Sequence, residues 1–350
     1  MTRWLWAVVL VAGCPFSARR PDPPEAPDQP VPIRGINTPY DDFNSADMTM
    51  YTRHRFAFSS NRGSEGKQFD IYDTQLEWTN DRLASISEPT VFLPTLMSDR
   101  DERGPIAIAS YDWDDSWTDR TWLSWASDRE GGAGGFDLYA LPCSGSTHSH
   151  RELPCADANA NAKATDSSTS APSAATPELV PLAALASPRD DAYLSRPFAP
   201  RRVLFASNRD VADAPSMRAM DIYTARWAET GTLVDAPQAI ARVDELSSPA
   251  DDTAPYVVRA QDRAQPVEMV FVSDRAGGQG AHDIYCARYD AKTERWSAPK
   301  NLGRNINSAK DEYRPIVFEL NSTRFLVFSS TRDGGQGGYD LYVVDYPGCR

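Results

Sequence analysis

The sequence predicts an all-β propeller of four-stranded antiparallel blades, and three observations predict it. A strand-loop-strand motif recurs five times, an acidic pair precedes each copy, and the last copy stops short of an outer strand that the N-terminal segment can supply. Composition agrees with these: of 350 residues 41% are hydrophobic, enough for a sizeable core, while 27 prolines and 20 glycines point to many turns and few long helices.

The motif is a short apolar strand ending in Ser-Asn/Asp/Thr-Arg, then a loop, then Asp-Ile/Leu-Tyr. Its copies run from Phe56 to Arg62 with Asp70-Ile71-Tyr72, and from Leu123 to Arg129 with Asp137-Leu138-Tyr139. Next come Leu204 to Arg209 with Asp221-Ile222-Tyr223, Val270 to Arg275 with Asp283-Ile284-Tyr285, and Leu326 to Arg332 with Asp340-Leu341-Tyr342. Arginine and aspartate stand eight residues apart in four copies and twelve in the third, so the hairpin is nearly invariant. Three of its loops are glycine-rich, as a tight connection requires. The flanking apolar runs of four to six residues read as strands.

Upstream of each hairpin lie Asp41-Asp42, Asp101-Glu102, Asp190-Asp191, Asp251-Asp252 and Asp311-Glu312, and a proline follows within a few residues in four copies. Proline is tolerated near a strand's start, where no ladder donor is lost. Each unit thus reads as acidic pair, strand, two-stranded hairpin and a final polar strand, which is the make-up of a propeller blade.

These residues resemble the TolB-type β-propeller repeat, a WD-repeat-like unit of bacterial envelope proteins, over about residues 31–350 apart from one insertion. Such propellers close more often with six blades, and the 57 to 80 residues between motif serines exceed the roughly 40–45 of a compact blade. Five blades are nevertheless favoured, because a sixth has no motif of its own. The fifth unit ends at Arg350, ten residues after Asp340. Residues Ile36 to Phe43 line up with Ile306 to Tyr313, so the N-terminal segment can pair as the missing strand and close the ring without an open edge. Residues 143 to about 187, rich in Ala, Ser, Thr and Pro, read as a disordered insertion.

Ahead of the propeller, residues 1–13 carry Arg3 and an apolar run from Trp4 to Ala12, too short to span a bilayer and laid out as a secretory signal. Val11-Ala12-Gly13-Cys14 resembles a lipobox, which implies cleavage before Cys14 and lipidation of its thiol. Residues 14–30 then form a proline-rich tether. Export permits disulfides, and the four remaining cysteines allow three pairings, of which Cys143 with Cys155 is favoured for its short separation. Pro15 is not the aspartate associated with inner-membrane retention, so the expected location is the outer membrane, facing the periplasm.

A formal charge of −13 leaves no basic stripe for phosphates and excludes nucleic acid as a partner. The repeated Arg62, Arg129, Arg209, Arg275 and Arg332, with Asp70, Asp137, Asp221, Asp283 and Asp340, read as structural, since a catalytic constellation normally occurs once per chain. The second acids Asp42, Glu102, Asp191, Asp252 and Glu312 have two readings: capping of backbone N–H groups, which is favoured, or an acidic ring at the channel mouth. Asp112, Trp113, Asp114 and Trp117 form a cluster unique to the second unit, read as a decorated loop or a ligand-binding one. It lacks the glycine and terminal glutamate of a calcium loop. The four histidines, at 54, 148, 150 and 282, show no zinc spacing, and no hydrolase elbow or P-loop is present.

No cofactor and no metal site is expected. The expectation drawn is a non-catalytic, monomeric envelope lipoprotein whose propeller binds or scaffolds a protein partner. The alternative is a five-bladed propeller that binds or hydrolyses carbohydrate through carboxylates of its central channel.

Overall fold

The computed structural model describes residues 25–48, 55–79, 82–85, 87–109, 120–144, 178–228, 233–258, 266–320 and 323–350. The lipobox at Cys14, the Trp113 cluster, Cys155 and most of the insertion lie outside the described residues.

Among the described residues, twenty-two strands build five antiparallel blades, each with its first strand innermost. Strand β1 is Val31–Pro32. The first blade runs β2 (Asp42–Asp47), β3 (Arg55–Ser60), β4 (Asp70–Thr79) and β5 (Arg82–Ser85), with the short β6 (Thr90–Val91) also on β4. The second is β7 (Glu102–Ala109), β8 (Arg120–Ser127), β9 (Asp137–Ser144) and β10 (Val180–Pro181). In the third come β11 (Asp191–Ala192), β12 (Arg202–Ser207), β13 (Asp221–Arg226) and β14 (Ala239–Arg242). The fourth comprises β15 (Asp252–Val258), β16 (Val267–Ser273), β17 (Asp283–Asp290) and β18 (Arg295–Trp296), with β19 (Lys300–Asn301) also on β17.

Only the fifth blade needs both chain ends. Strands β20 (Glu312–Leu320), β21 (Thr323–Ser330) and β22 (Asp340–Asp345) are completed by β1, with Val31 opposite Val343 and Pro32 opposite Tyr342. The expected five blades and the closure by an N-terminal strand are therefore the observed ones.

Each hairpin register sets the motif serine opposite the motif aspartate, as in Ser60–Asp70 and Ser330–Asp340. The strand centres are solidly buried, so the core is a set of layers between blades rather than one central mass. Blade 5 packs on one side against Val270 and Ile284 of blade 4 and on the other against Phe56 and Phe58 of blade 1. A disulfide joins Cys286 of β17 to Cys349, with Cα atoms 5.6 Å apart, and fastens the C-terminus to blade 4. Cys143 is also disulfide-bonded.

Successive blades are tied by a reciprocal pair of hydrogen bonds. The residue before each Asp-x-Tyr, namely Phe69, Phe136, Met220, His282 or Tyr339, donates its N–H to the first acid of the following blade. Its carbonyl in turn accepts from the second acid's N–H, at 2.7–2.9 Å around the whole ring. The last of these links, Tyr339 to Asp41 and Asp42, closes the circle. Beside it, a Cβ at Gly337 would lie 2.0 Å from the Tyr40 carbonyl, so only glycine lets the two blades approach there.

Candidate functional site

The second acids do not form a channel-mouth ring. Asp42, Glu102, Asp191, Asp252 and Glu312 are fully buried inside their own blades. Each accepts the N–H of the residue four positions earlier and pairs with the motif arginine: Arg62 at 2.5 Å, Arg129 at 2.7 Å, Arg209 at 2.6 Å, Arg332 at 3.0 Å, and Arg275 likewise. The same arginine lies 5.0–5.2 Å over the ring of the Asp-x-Tyr tyrosine, a cation–π contact repeated in every blade. Acid, arginine and tyrosine thus form one structural knot per blade. The glycosidase alternative cannot draw on these carboxylates.

The Asp-x-Tyr aspartates serve elsewhere. Asp137, Asp283 and Asp340 accept backbone N–H groups of their glycine-rich loops, while Asp70 meets Gln68 and Asp221 meets Arg242. Burial pushes the carboxyls of Asp70, Asp137, Asp221 and Asp340 above the ordinary range.

Departures from the repeat appear at the axis. The five residues before Asp-x-Tyr each bond to the start of the next blade's inner strand and so come to one end of the axis, its mouth; four are Phe, Met or Tyr, and the exception is His282. Its ring nitrogens lie 3.2 Å from Asp251 and 2.9 Å from Asp311, the first acids of blades 4 and 5. Burial alone would lower its pKa, but hydrogen bonds to and charges of the two carboxylates outweigh that and hold it up at about 9. The imidazolium therefore bridges two blades at neutral pH. Asp311 is correspondingly held below the usual carboxylate range, chiefly by its hydrogen bond with His282. The charged ring donates its Nε2–H to Asp251, while the exposed Arg218 stands 3.3 Å from the same nitrogen as a neighbouring positive charge.

Around this cluster stands an aromatic collar. Phe43 contacts Phe69 and Tyr339 at 4.6 and 5.7 Å, and Tyr313 contacts His282 and Tyr339 at 5.7 and 6.2 Å. Arg103, paired with Asp101 at 2.5 Å, lies over Phe43, Phe69 and Phe136. Phe69, Tyr339, Asp311 and Arg103 are partly open to solvent. Phe198, Tyr289 and Trp296 border a second hollow, of about 310 Å³, between blades 3 and 4. There the rings pack on one another at 4.9–5.3 Å.

Sequence reasoning missed this mouth because it sought residues shared by all five units. The signal was the opposite one, a histidine where the other units have Phe, Phe, Met and Tyr.

Neither a protein-family model nor a curated protein matches the chain. Solved structures do. A GH43_1 enzyme from Xanthomonas citri, complexed with xylose, is similar over 90% of this chain and 89% of its own, at TM-score 0.54 and 12% identity. A GH43 β-xylosidase/α-arabinofuranosidase from a compost microbial metagenome, in complex with xylotriose, is similar over 90% and 94%, at 0.50 and 10%. A GH43 endo-arabinanase from Bacillus licheniformis is similar over 88% and 96%, at 0.46 and 11%.

At such identities the likeness is one of fold. It nonetheless corrects the expectation of a non-catalytic protein-binding scaffold, and with it the expectation that the chain is not an enzyme. That expectation treated a chain filled by propeller repeats, without a known motif, as a chain with no room for catalysis. Two solved structures that share its fold over about nine-tenths of both chains are named as enzymes, one in complex with xylotriose and the other with xylose.

Proposed function

We propose that this protein is a carbohydrate-active propeller that takes a saccharide at the axial mouth. The observation that carries the reading is the mouth itself, where an aromatic collar is joined by the charged cluster of Asp251, His282, Asp311 and Arg218 that no other blade repeats. Sugar recognition needs an aromatic surface for the C–H face of a ring and fixed polar groups for its hydroxyls. Phe69 and Tyr339 offer the first; Asp311 and Arg218 offer the second. Hydrolysis further requires two carboxyl groups about 5–10 Å apart across the scissile bond. Asp251 and Asp311 do not form that pair, since the His282 imidazole stands between them, and the reading takes them as polar groups that set the charge of the mouth. The GH43 likeness supports a sugar as ligand at the level of fold. Lipidation at Cys14 belongs to the same reading, since a tether on the periplasmic side of the outer membrane would hold the mouth among the saccharides of the envelope; so does the TolB-like origin of the repeats.

Isothermal titration with xylo-, arabino- and hexo-oligosaccharides, alongside release of reducing ends, tests it. Binding that weakens at least tenfold in Phe69→Ala and Asp311→Asn is the expected result. A folded protein that neither binds nor cleaves any member of the panel overturns the reading.

A further inference from the structure

Three arginines enter the propeller axis at successive levels of β7. Arg103 pairs with Asp101 at 2.5 Å. Arg196 donates to the carbonyls of Ala107 and Asp47 at 3.2 and 3.0 Å, and lies 4.0 Å from the Asp47 carboxylate. Between them Arg314 is fully buried and differs from both. Its Nη2 reaches only the Pro105 carbonyl, at 3.5 Å, while Nε and Nη1 have no hydrogen-bond partner and no described carboxylate pairs with it.

The cause lies in the inner strands. Each of β2, β7, β15 and β20 carries a bulge two residues after the acidic pair, with Asn44, Gly104, Ala254 and Arg314 in the left-handed region; Tyr193 takes the same place and conformation in blade 3. A bulge re-aims side chains. These five therefore make one layer of the ring, in which Tyr193 lies 5.1 Å from the Arg314 guanidinium. Gly104 leaves room for that ring, since a Cβ there would fall 2.7 Å from it.

In this layer the Asn44 amide approaches the Tyr193 hydroxyl but makes no hydrogen bond of normal geometry at Oδ1 or Nδ2, and Thr253 just above is unmatched at its hydroxyl. Burial lowers the pKa of Arg314 to about 10, which still leaves it charged at neutral pH. A tyrosine face eases such a charge without neutralising it, and a buried guanidinium with no counter-charge is strongly unfavourable. The unmatched groups are chiefly donors. A water molecule accepts only two hydrogen bonds and brings no charge.

We infer that the propeller axis is an anion site, in which a small inorganic anion of chloride size is held by Arg314 Nε and Nη1 and by Asn44 Nδ2, beneath Tyr193. Through those residues the ion ties blades 1, 3 and 5 together from within. The site is separate from the axial mouth and stands whether or not a sugar binds there.

Thermal unfolding of the full chain in sodium chloride, against sodium gluconate at equal ionic strength, tests the inference. Gluconate is too large to enter. The expected result is a midpoint that rises saturably with chloride in the wild type and does not respond in Arg314→Met. Equal midpoints in the two salts, or a chloride response retained by the variant, overturn it. Should the variant not fold, crystals of the wild type grown in sodium bromide decide through anomalous scattering. A bromide peak against Arg314 and Asn44 supports the site, and water there with bromide absent or only at the surface overturns it.

Discussion

His282 shows how far one side chain can depart from its repeat and change what a position does. The group titrates near 6.5 when unfolded and at about 9 in the fold, so folding binds a proton more tightly. Its stabilisation is fully present below pH 6.5 and is lost as pH rises through about 9. The loss expected is up to roughly 3 kcal/mol, visible as a fall in unfolding free energy between those values. His282→Gln should flatten that slope, and a slope that persists in the variant would assign it to other groups. Asp251, Asp311 and the adjacent Arg218 all act on this ring, the last opposing its charge. Almost none of this was legible from the sequence. The histidine sat in view as one of four, but the carboxylates that raise its pKa stand 31 and 29 residues away, one in its own blade and one in the next, and only the packing of blade 4 against blade 5 brings both to it.

Elements were far more legible, because their signals are local. The Ser-x-Arg and Asp-x-Tyr ends of the hairpins were read as structural, and the register opposing Ser60 to Asp70 shows why their spacing is fixed. What local reasoning could not supply was the partner of each arginine, which is the upstream acid 18 to 27 residues earlier rather than the aspartate of its own hairpin. Arg275→Ala should therefore be costly, about 3–5 kcal/mol, since it leaves the Asp252 carboxylate buried without its charge partner. Arg275→Met combined with Asp252→Leu should cost much less. Chemical denaturation of the three proteins distinguishes the cases, and equal losses in the single and double variants would show that the pair itself is strongly stabilising. The cysteines lie between these cases. Favouring Cys143 with Cys155 leaves Cys286 for Cys349, and those two meet across 63 residues because the C-terminal segment returns from blade 5 to β17; Cys143 is bonded as well, while Cys155 lies outside the described residues.

At the level of the whole molecule the closure was legible in the match of Ile36–Phe43 to Ile306–Tyr313, and the ring follows that plan. Two residues, Val31 and Pro32, complete blade 5 in the sheet, and Ile33 and Asn37 add further hydrogen bonds to Leu341. Deleting residues 25–37 should leave β22 as an open edge, lower the thermal midpoint and favour association between molecules through that edge. Size-exclusion chromatography of the truncated protein checks this, and an unchanged monomer would show that the sheet tolerates an open fifth blade. The reciprocal hydrogen bonds between neighbouring blades are equivalent around the circle.

That closure also sets a schedule. A chain made from its N-terminus presents β1 ahead of all five blades' other strands, yet the strand that β1 must meet, β22, follows every one of them. Blades 1 to 4 can form in the order of their synthesis, each hairpin from neighbouring segments, while the opening strand waits unpaired for almost the whole length of the chain. Maturation is thus gated by β22, and any stall before that strand is made leaves four finished blades with a joint that has not been made.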